Sequence, residues 1–288
     1  MNKKIIAANR NIVDAIGTLI NLSAPLNQNF AGYDDFADFV KNLFADSLGL
    51  PPYEQRNRHR EIFSFVSNNA EIPDFMLRGG DAVEIKTVRL KSGEYDPVKC
   101  SPIEFNTVYP RQKLFFDDPL VTDECRHAES WYEKDVVYVV GALKRRQLIH
   151  LCMIYGVDYC AGEKYYSGLN YELKKLIAKI RAARFPYTRE LARINTVDPT
   201  GATYLKLYGM WHVENPWSFF RYVCRPNPHA NFSFMCIINR EKFHQLDNGR
   251  KLFAWAKDCD GLRLAKVRVR NPDAPDTFRD ALLIRYEI

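Results

Sequence analysis

The chain has 288 residues, 47% of them apolar and 13% aromatic, which is enough for a sizeable core and excludes an intrinsically disordered chain. The formal net charge of +6 suits a nucleic-acid partner without requiring one, because charge reports on association rather than fold. No stretch reaches the ~18 uninterrupted apolar residues of a transmembrane helix, so no membrane association is expected, and scattered cysteines without a pairing pattern suit a cytoplasmic setting.

The N-terminus, MNKKIIAANRNIVDAIGTLINL, superficially resembles a signal peptide. However, Asn9, Arg10, Asn11 and Asp14 interrupt its apolar run, and an amphipathic helix over 5–22 is the better reading. After a loop with Pro25 and Gly32, residues 34–48 predict a second helix. Phe36, Phe39, Val40, Leu43 and Phe44 keep the three-four spacing, and Asp34 and Asp35 suit its positive end. Pro51-Pro52 stops it. EQRNRHRE at 54–61 is charged, and 62–66 predicts a short strand.

The stretch IPDFMLRGGDAVEIKT, residues 72–87, carries the chemistry. Asp74 opens a short apolar run, Gly79-Gly80-Asp81 is a hairpin signal, and Glu84-Ile85-Lys86 reads as strand. Glu84 and Lys86 are two apart and so share a strand face. Two carboxylates and an ammonium then converge, which is the minimum set for a Mg²⁺-dependent phosphodiesterase: hard oxygen ligands, open metal positions and a cation beside the attacking water. Asp81 belongs to the turn rather than to the metal. Similar fragments elsewhere lack this context. Pro272-Asp273 and Pro275-Asp276 have no acid-x-Lys after them, and Glu172-x-Lys174 lies in a helical pattern. The plain alternative is a surface hairpin with a solvated Glu/Lys pair.

Residues 91–110 read as a long loop, and 122–131 as helical. Two near-continuous apolar runs, 135–143 and 147–156, predict buried strands joined by the basic turn Lys144-Arg145-Arg146. Residues 165–184 predict a helix with Leu169, Leu173, Leu176 and Ile180 inward. Further strands are expected near 203–209, 232–239, 263–270 and 281–287, with a helix near 240–256. The block GMWHVENPWSFF reads as core through Trp211, Trp217, Phe219 and Phe220, and His212 and Glu214 are not read as a metal pair. Seven scattered cysteines with no C-x-x-C read as reduced thiols, with no zinc site. The expected fold is α/β: a mixed central sheet flanked by helices, in a single domain over 1–288. Its catalytic core covers about 34–185, with 186–288 built onto it.

Pro73-Asp74 and Glu84-x-Lys86 resemble the two halves of the PD-(D/E)xK nuclease signature. FVKNLFA at 39–45, GDAVEIK at 80–86, IYGVDYCA at 154–161 and RINTVDPTGATYLKLYGMWHVENPW at 193–217 are similar to the NgoPII-like family of type II restriction endonucleases, a resemblance running from about residue 12 to the C-terminus. It implies a restriction-endonuclease-like core and a homodimer that cuts double-stranded DNA at a short, GC-rich palindrome such as GGCC. It also implies a companion DNA methyltransferase acting on the same site. Asp74 and Glu84, with the carbonyl of Ile85, would hold Mg²⁺, and Lys86 would attend the water. Asp38 matches a further acidic position of that family, with Glu61 as runner-up. Lys113 and Arg145 are candidates for the DNA backbone. Arg193, Asn195, Arg225 and Asn227, in Pro-bounded loops, are candidates for base edges. A repair or recombination nuclease with the same core, and a non-catalytic DNA-binding module, stay open as alternatives.

Overall fold

The computed structural model describes residues 33–288 apart from 69–70, 91–93, 107, 181–182, 186–190, 228 and 246–248, so the helix expected over 5–22 lies outside the described residues. The apolar spacing of the first described segment forms α1 (Tyr33–Ala45), which buries Phe36, Phe39, Val40, Leu43 and Phe44. Pro51 and Pro52 then open α2 (Pro52–Ile62), the charged stretch, which buries no residue. Pro at a first helical turn removes only an amide that has no partner there. Four strands build the edge of the sheet and its first crossover: β1 (Phe63–Val66), β2 (Phe75–Leu77), β3 (Ala82–Arg89) and β4 (Ile103–Asn106). The segment expected as plain loop therefore contains a 3-10 turn (Pro97–Lys99) and a strand, because Ile103 and Phe105 are buried there. Next come β5 (Lys113–Phe115) and α3 (Asp123–His127), whose Thr122 hydroxyl caps the Cys125 N–H.

The two long apolar runs are β6 (Glu133–Lys144) and β7 (Gln147–Tyr155). They are joined by Arg145 and Arg146 at φ 48° and 69°, the two left-handed positions of a two-residue hairpin turn. After β7 come α4 (Gly156–Tyr159) and α5 (Glu163–Ile177), then β8 (Ala183–Arg184), β9 (Ala192–Ile194), β10 (Leu205–Leu207), β11 (Met210–Val213) and α6 (Pro216–Phe219). The C-terminal part adds β12 (Ser233–Asn239), α7 (Arg240–Gln245), α8 (Gly249–Asp258), β13 (Leu262–Asn271) and β14 (Ala274–Glu287). The helix expected over 240–256 corresponds to α7 and α8, between which residues 246–248 lie outside the described residues.

The central sheet runs β1-β2-β3-β6-β7-β12-β14-β13, with β5 added on the far end of β6. The β3/β6 and β7/β12 pairs are parallel and the rest antiparallel, so the sheet is mixed. Its two faces bury separate cores. Val83, Ile85, Val137, Val139 and Phe234 pack under α1 and α8, while Ala82, Tyr138, Val140, Ile237 and Leu283 pack under Trp217, Phe220, Ile103 and Leu114. Burial on both faces explains why β6, β7 and β12 read as unbroken apolar runs. Gly141 on β6 is required by this packing: a Cβ there would sit 2.4 Å from the ring of Phe36 on α1. β8, β9 and β10 form a separate three-stranded sheet, and β11 pairs with β4.

One expectation fails here. The helix expected over 165–184 ends earlier, and its apolar row faces out: Leu169, Leu176 and Ile180 are exposed, because no described element covers that side of α5. Asp81 sits at the hairpin turn, where its carbonyl accepts from the Leu77 N–H at 2.9 Å. It is 4% exposed, accepts from the Tyr155 hydroxyl at 2.9 Å and lies 3.6 Å from the Lys242 ammonium. The aromatic block is core at Trp217 and Phe220, both fully buried, and all seven cysteines are free thiols.

Candidate active site

The β2–β3 hairpin forms as the glycines direct. Gly79 takes φ +59°, a conformation that side chains resist. The turn is fastened from below, where the Gly79 N–H donates to Glu129 at 2.8 Å and buried Lys134 donates to the Gly80 carbonyl at 2.6 Å. β2 pairs with β3 only as far as Phe75↔Val83, so the next outward amide of β3, that of Ile85, has no strand partner. Asp74, one residue before β2, fills that place. Its Oδ2 accepts from the Ile85 N–H at 2.6 Å. A backbone vacancy at the end of a short strand thus fixes the first carboxylate against the second strand.

Glu84 and Lys86 emerge on the sheet face opposite α1, as their spacing requires, and their side chains meet: Lys86 Nζ donates to Glu84 Oε2 at 2.9 Å. Glu84 is 8% exposed. Lys86 Nζ also lies 5.1 Å from the centre of the Phe105 ring on β4, a cation–π contact that closes one side of the site. Burial, together with the charge of Glu84, pushes the Asp74 carboxyl up to about 6, against Lys86, the Tyr33 hydroxyl and the Ile85 N–H, which pull it down. Burial works to lower Lys86, but the carboxylates of Glu84 and Asp74 outweigh it, and its pKa ends above the ordinary lysine value. Carboxylates crowded under partial burial and compensated by one ammonium have the electrostatics of a cation site.

Asp74, Glu84, Ile85 and Lys86 line one cleft of about 750 Å³, walled by Ile103, Glu104 and Phe105 of β4 and by Tyr109, Arg111 and Tyr138. The catalytic trio inferred from sequence is therefore brought together. Among the described residues no three His, Cys, Asp or Glu side chains cluster as a metal cage. Asp74, Glu84 and the carbonyl of Ile85 nevertheless supply oxygen donors only, the donor chemistry that Mg²⁺ takes while keeping waters of its own. Asp38 lies on α1 and pairs with Lys41 at 2.5 Å. It lines a smaller adjoining pocket of about 160 Å³ that also touches Asp74. Glu61 is on the exposed α2, 3.6 Å from Arg58.

The candidate DNA-binding residues are spread out, and among the described residues none lines the cleft. Lys113 on β5 pairs with Glu133 at 2.5 Å. Arg145 is exposed at the β6–β7 turn. Arg193 on β9 stacks over Tyr204 at 5.4 Å, with Asn195 just beyond the strand. Asn227 caps its own loop, accepting from the His229 N–H at 3.0 Å, and Arg225 is exposed beside it. β10, which pairs with β9, lies two residues from β11, and β11 pairs with β4 at the cleft wall.

Sequence reasoning missed Tyr33 and Arg111. The Tyr33 hydroxyl donates to Asp74 Oδ1 at 2.6 Å and lies 3.5 Å from the Ile85 carbonyl. Burial, then the Asp74 charge, raises its own pKa far above that of free tyrosine. Neither residue carries a local signal: Tyr33 is a lone aromatic just before the predicted helix, and nothing in its neighbourhood sets Arg111 apart from Lys113 two residues on.

The family model described as NgoPII restriction endonuclease matches residues 3–270. The chain is 38% identical over 287 residues to the type II restriction enzyme NgoPII of Neisseria gonorrhoeae, covering 96% of this chain and all of that protein. No solved structure matches it. Among the described residues no helix is long and apolar enough to cross a membrane.

Proposed function

Because the chain belongs to the NgoPII restriction endonuclease family, we propose that it is a type II site-specific deoxyribonuclease that hydrolyses double-stranded DNA in a Mg²⁺-dependent reaction. The observation that carries this reading is the convergence of Asp74, Glu84 and Lys86 in one cleft, with Asp74 locked to the backbone of Ile85. Asp74, Glu84 and the Ile85 carbonyl would hold the ion, and Asp38 enters as an outer carboxylate through the pocket it shares with Asp74. When bound, Mg²⁺ supplies Lewis acidity toward the scissile phosphate and a more acidic water. Tyr33 and the Ile85 N–H keep the Asp74 oxygens aimed. Lys86, held cationic between two carboxylates, orients the attacking water and adds positive charge beside a phosphate that gains negative charge. Direct in-line attack needs no covalent enzyme intermediate.

The proposal extends to a homodimer reading a short GC-rich palindrome of the GGCC kind, since a two-fold site is most simply read by a two-fold protein. A companion methyltransferase would protect the same site. Arg145 and Lys113 would position the backbone, while Arg193, Asn195, Arg225 and Asn227 would face bases. The test is incubation of a plasmid of known sequence with the protein and Mg²⁺, beside Asp74→Ala, Glu84→Ala and Lys86→Ala. Discrete fragments that share one sequence at their ends, and that vanish in all three variants, are expected. A smear, or structure-dependent cutting, would favour a repair nuclease. Cleavage that survives all three substitutions would remove this cleft from the chemistry.

A further inference from the structure

Residues 108–112 cross the wall of the cleft and are held from more sides than a connecting segment needs. The Tyr109 hydroxyl donates to Glu163 at 2.6 Å, and its ring stacks on Tyr166 at 5.0 Å. The Arg111 N–H donates to the Tyr138 hydroxyl oxygen at 2.7 Å, and that hydroxyl donates back to the Arg111 carbonyl at 3.0 Å. The Gln112 amide donates to the Cys160 carbonyl at 2.7 Å and to Asp273 at 3.0 Å. Gly156 leaves the room required, since a Cβ there would lie 2.3 Å from the Arg111 carbonyl oxygen. Tyr138, the residue that grips Arg111, is opposite Glu84 in the β3–β6 register.

What this scaffold presents is one guanidinium. Arg111 lines the same cleft as Asp74, Glu84 and Lys86. It packs over the Tyr109 ring at 5.2 Å and pairs with Asp118, and its side chain is only 12% exposed. Its Nε is buried without a hydrogen-bond partner. A buried donor left unmatched is uncommon and calls for a ligand or a cost. A planar, permanently charged fork fits phosphate oxygens better than an ammonium does, and Lys86 is already engaged by Glu84.

We propose that Arg111 is a further catalytic residue of the nuclease reading, on which this inference rests: it donates to a non-bridging oxygen of the scissile phosphate. Water forms the new P–O bond and gives its proton to solvent, the bond to the leaving sugar oxygen breaks, and that oxygen takes up a proton. Arg111 exchanges no proton and stabilises the charge that builds on phosphorus oxygens as bonds are made and broken. Rigid placement of such a donor is what makes it effective in the transition state.

The test is single-turnover cleavage by Arg111→Gln, Asp118→Asn and the double variant, with duplex binding measured without Mg²⁺ and thermal unfolding of each. Arg111→Gln and the double variant should both cleave ~100-fold or more slowly, the loss typical of a transition-state donor. Asp118→Asn should stay within about fivefold of the parent, and duplex Kd should move less than about threefold throughout. If Arg111 merely neutralises Asp118, the double variant recovers parental cleavage, which overturns the proposal. Rate and binding lost in equal measure overturn it too. The double variant removes the uncompensated carboxylate, so the test holds even where Arg111→Gln alone folds poorly. Asp74→Ala separates the two readings. If it still cleaves, the nuclease site itself is wrong; if it is inactive while Arg111→Gln cleaves normally, only the Arg111 assignment falls.

Discussion

Replacing Asp74 with asparagine should destroy cleavage and stabilise the metal-free protein. The carboxyl titrates at about 6 in the fold against 3.8 in the unfolded chain, because it is buried and faces Glu84. A folded pKa above the unfolded one means that the native state binds the proton more tightly. The ionised form therefore costs stability, fully above about pH 6, and the cost fades as pH falls from 6 towards 3.8. At 1.36 kcal/mol per unit the full cost is about 3 kcal/mol, and allowing for solvent at a partly exposed group leaves about 1–3 kcal/mol. Asparagine keeps the geometry. Its oxygen can accept from the Ile85 N–H, and its amide can donate to the Tyr33 hydroxyl, whose proton can turn to the Ile85 carbonyl 3.5 Å away. The gain should appear as a rise of about 2–5 °C in Tm at pH 8 in EDTA. The assay is thermal unfolding of parent and Asp74→Asn at pH 8 and pH 4, with and without Mg²⁺. The gap should be wide at pH 8, close at pH 4, and shrink when Mg²⁺ stabilises the parent alone. A variant no more stable than the parent at pH 8 would refute the reasoning, as would a gap independent of pH.

Tyr33→Phe removes a hydrogen bond that favours ionised Asp74, so the acid limb of the pH–rate profile should move to higher pH; an unmoved limb would show that Tyr33 does not hold this carboxylate. Gly141→Ala forces a methyl into the Phe36 ring and should cost about 1–3 kcal/mol, read as a lower urea midpoint with unchanged slope. Duplex affinity should fall steeply with salt, at about −0.9 per neutralised phosphate and beyond −3 overall, as measured by titration at several ionic strengths. Arg193→Ala should cost ~1–3 kcal/mol on cognate DNA and little on scrambled DNA, whereas Lys175→Ala on exposed α5 should weaken both alike; an equal loss on both DNAs for Arg193→Ala would place base readout elsewhere.

Some of this protein was fixed locally, and local order is what a sequence displays. The Gly-Gly turn can be satisfied by few other residues, the period-two spacing of Glu84 and Lys86 decides their common face, and β6, β7 and β12 announce double burial by their unbroken apolar runs. The proposed trio of Asp74, Glu84 and Lys86 was legible as a cluster because all three residues lie within one hairpin, where pairing rules connect them. The rest depended on contacts between distant segments. Tyr33 reaches Asp74 across 41 residues, and Arg111 is gripped by Tyr138 across 27. Neither contact leaves a periodic trace, because each is made by one side chain on an element whose other residues follow ordinary packing. The same holds for α5, whose apolar spacing predicted a buried face. Spacing tells that a helix has an apolar side, but only the placement of the other elements decides whether anything covers it, and here no described element does.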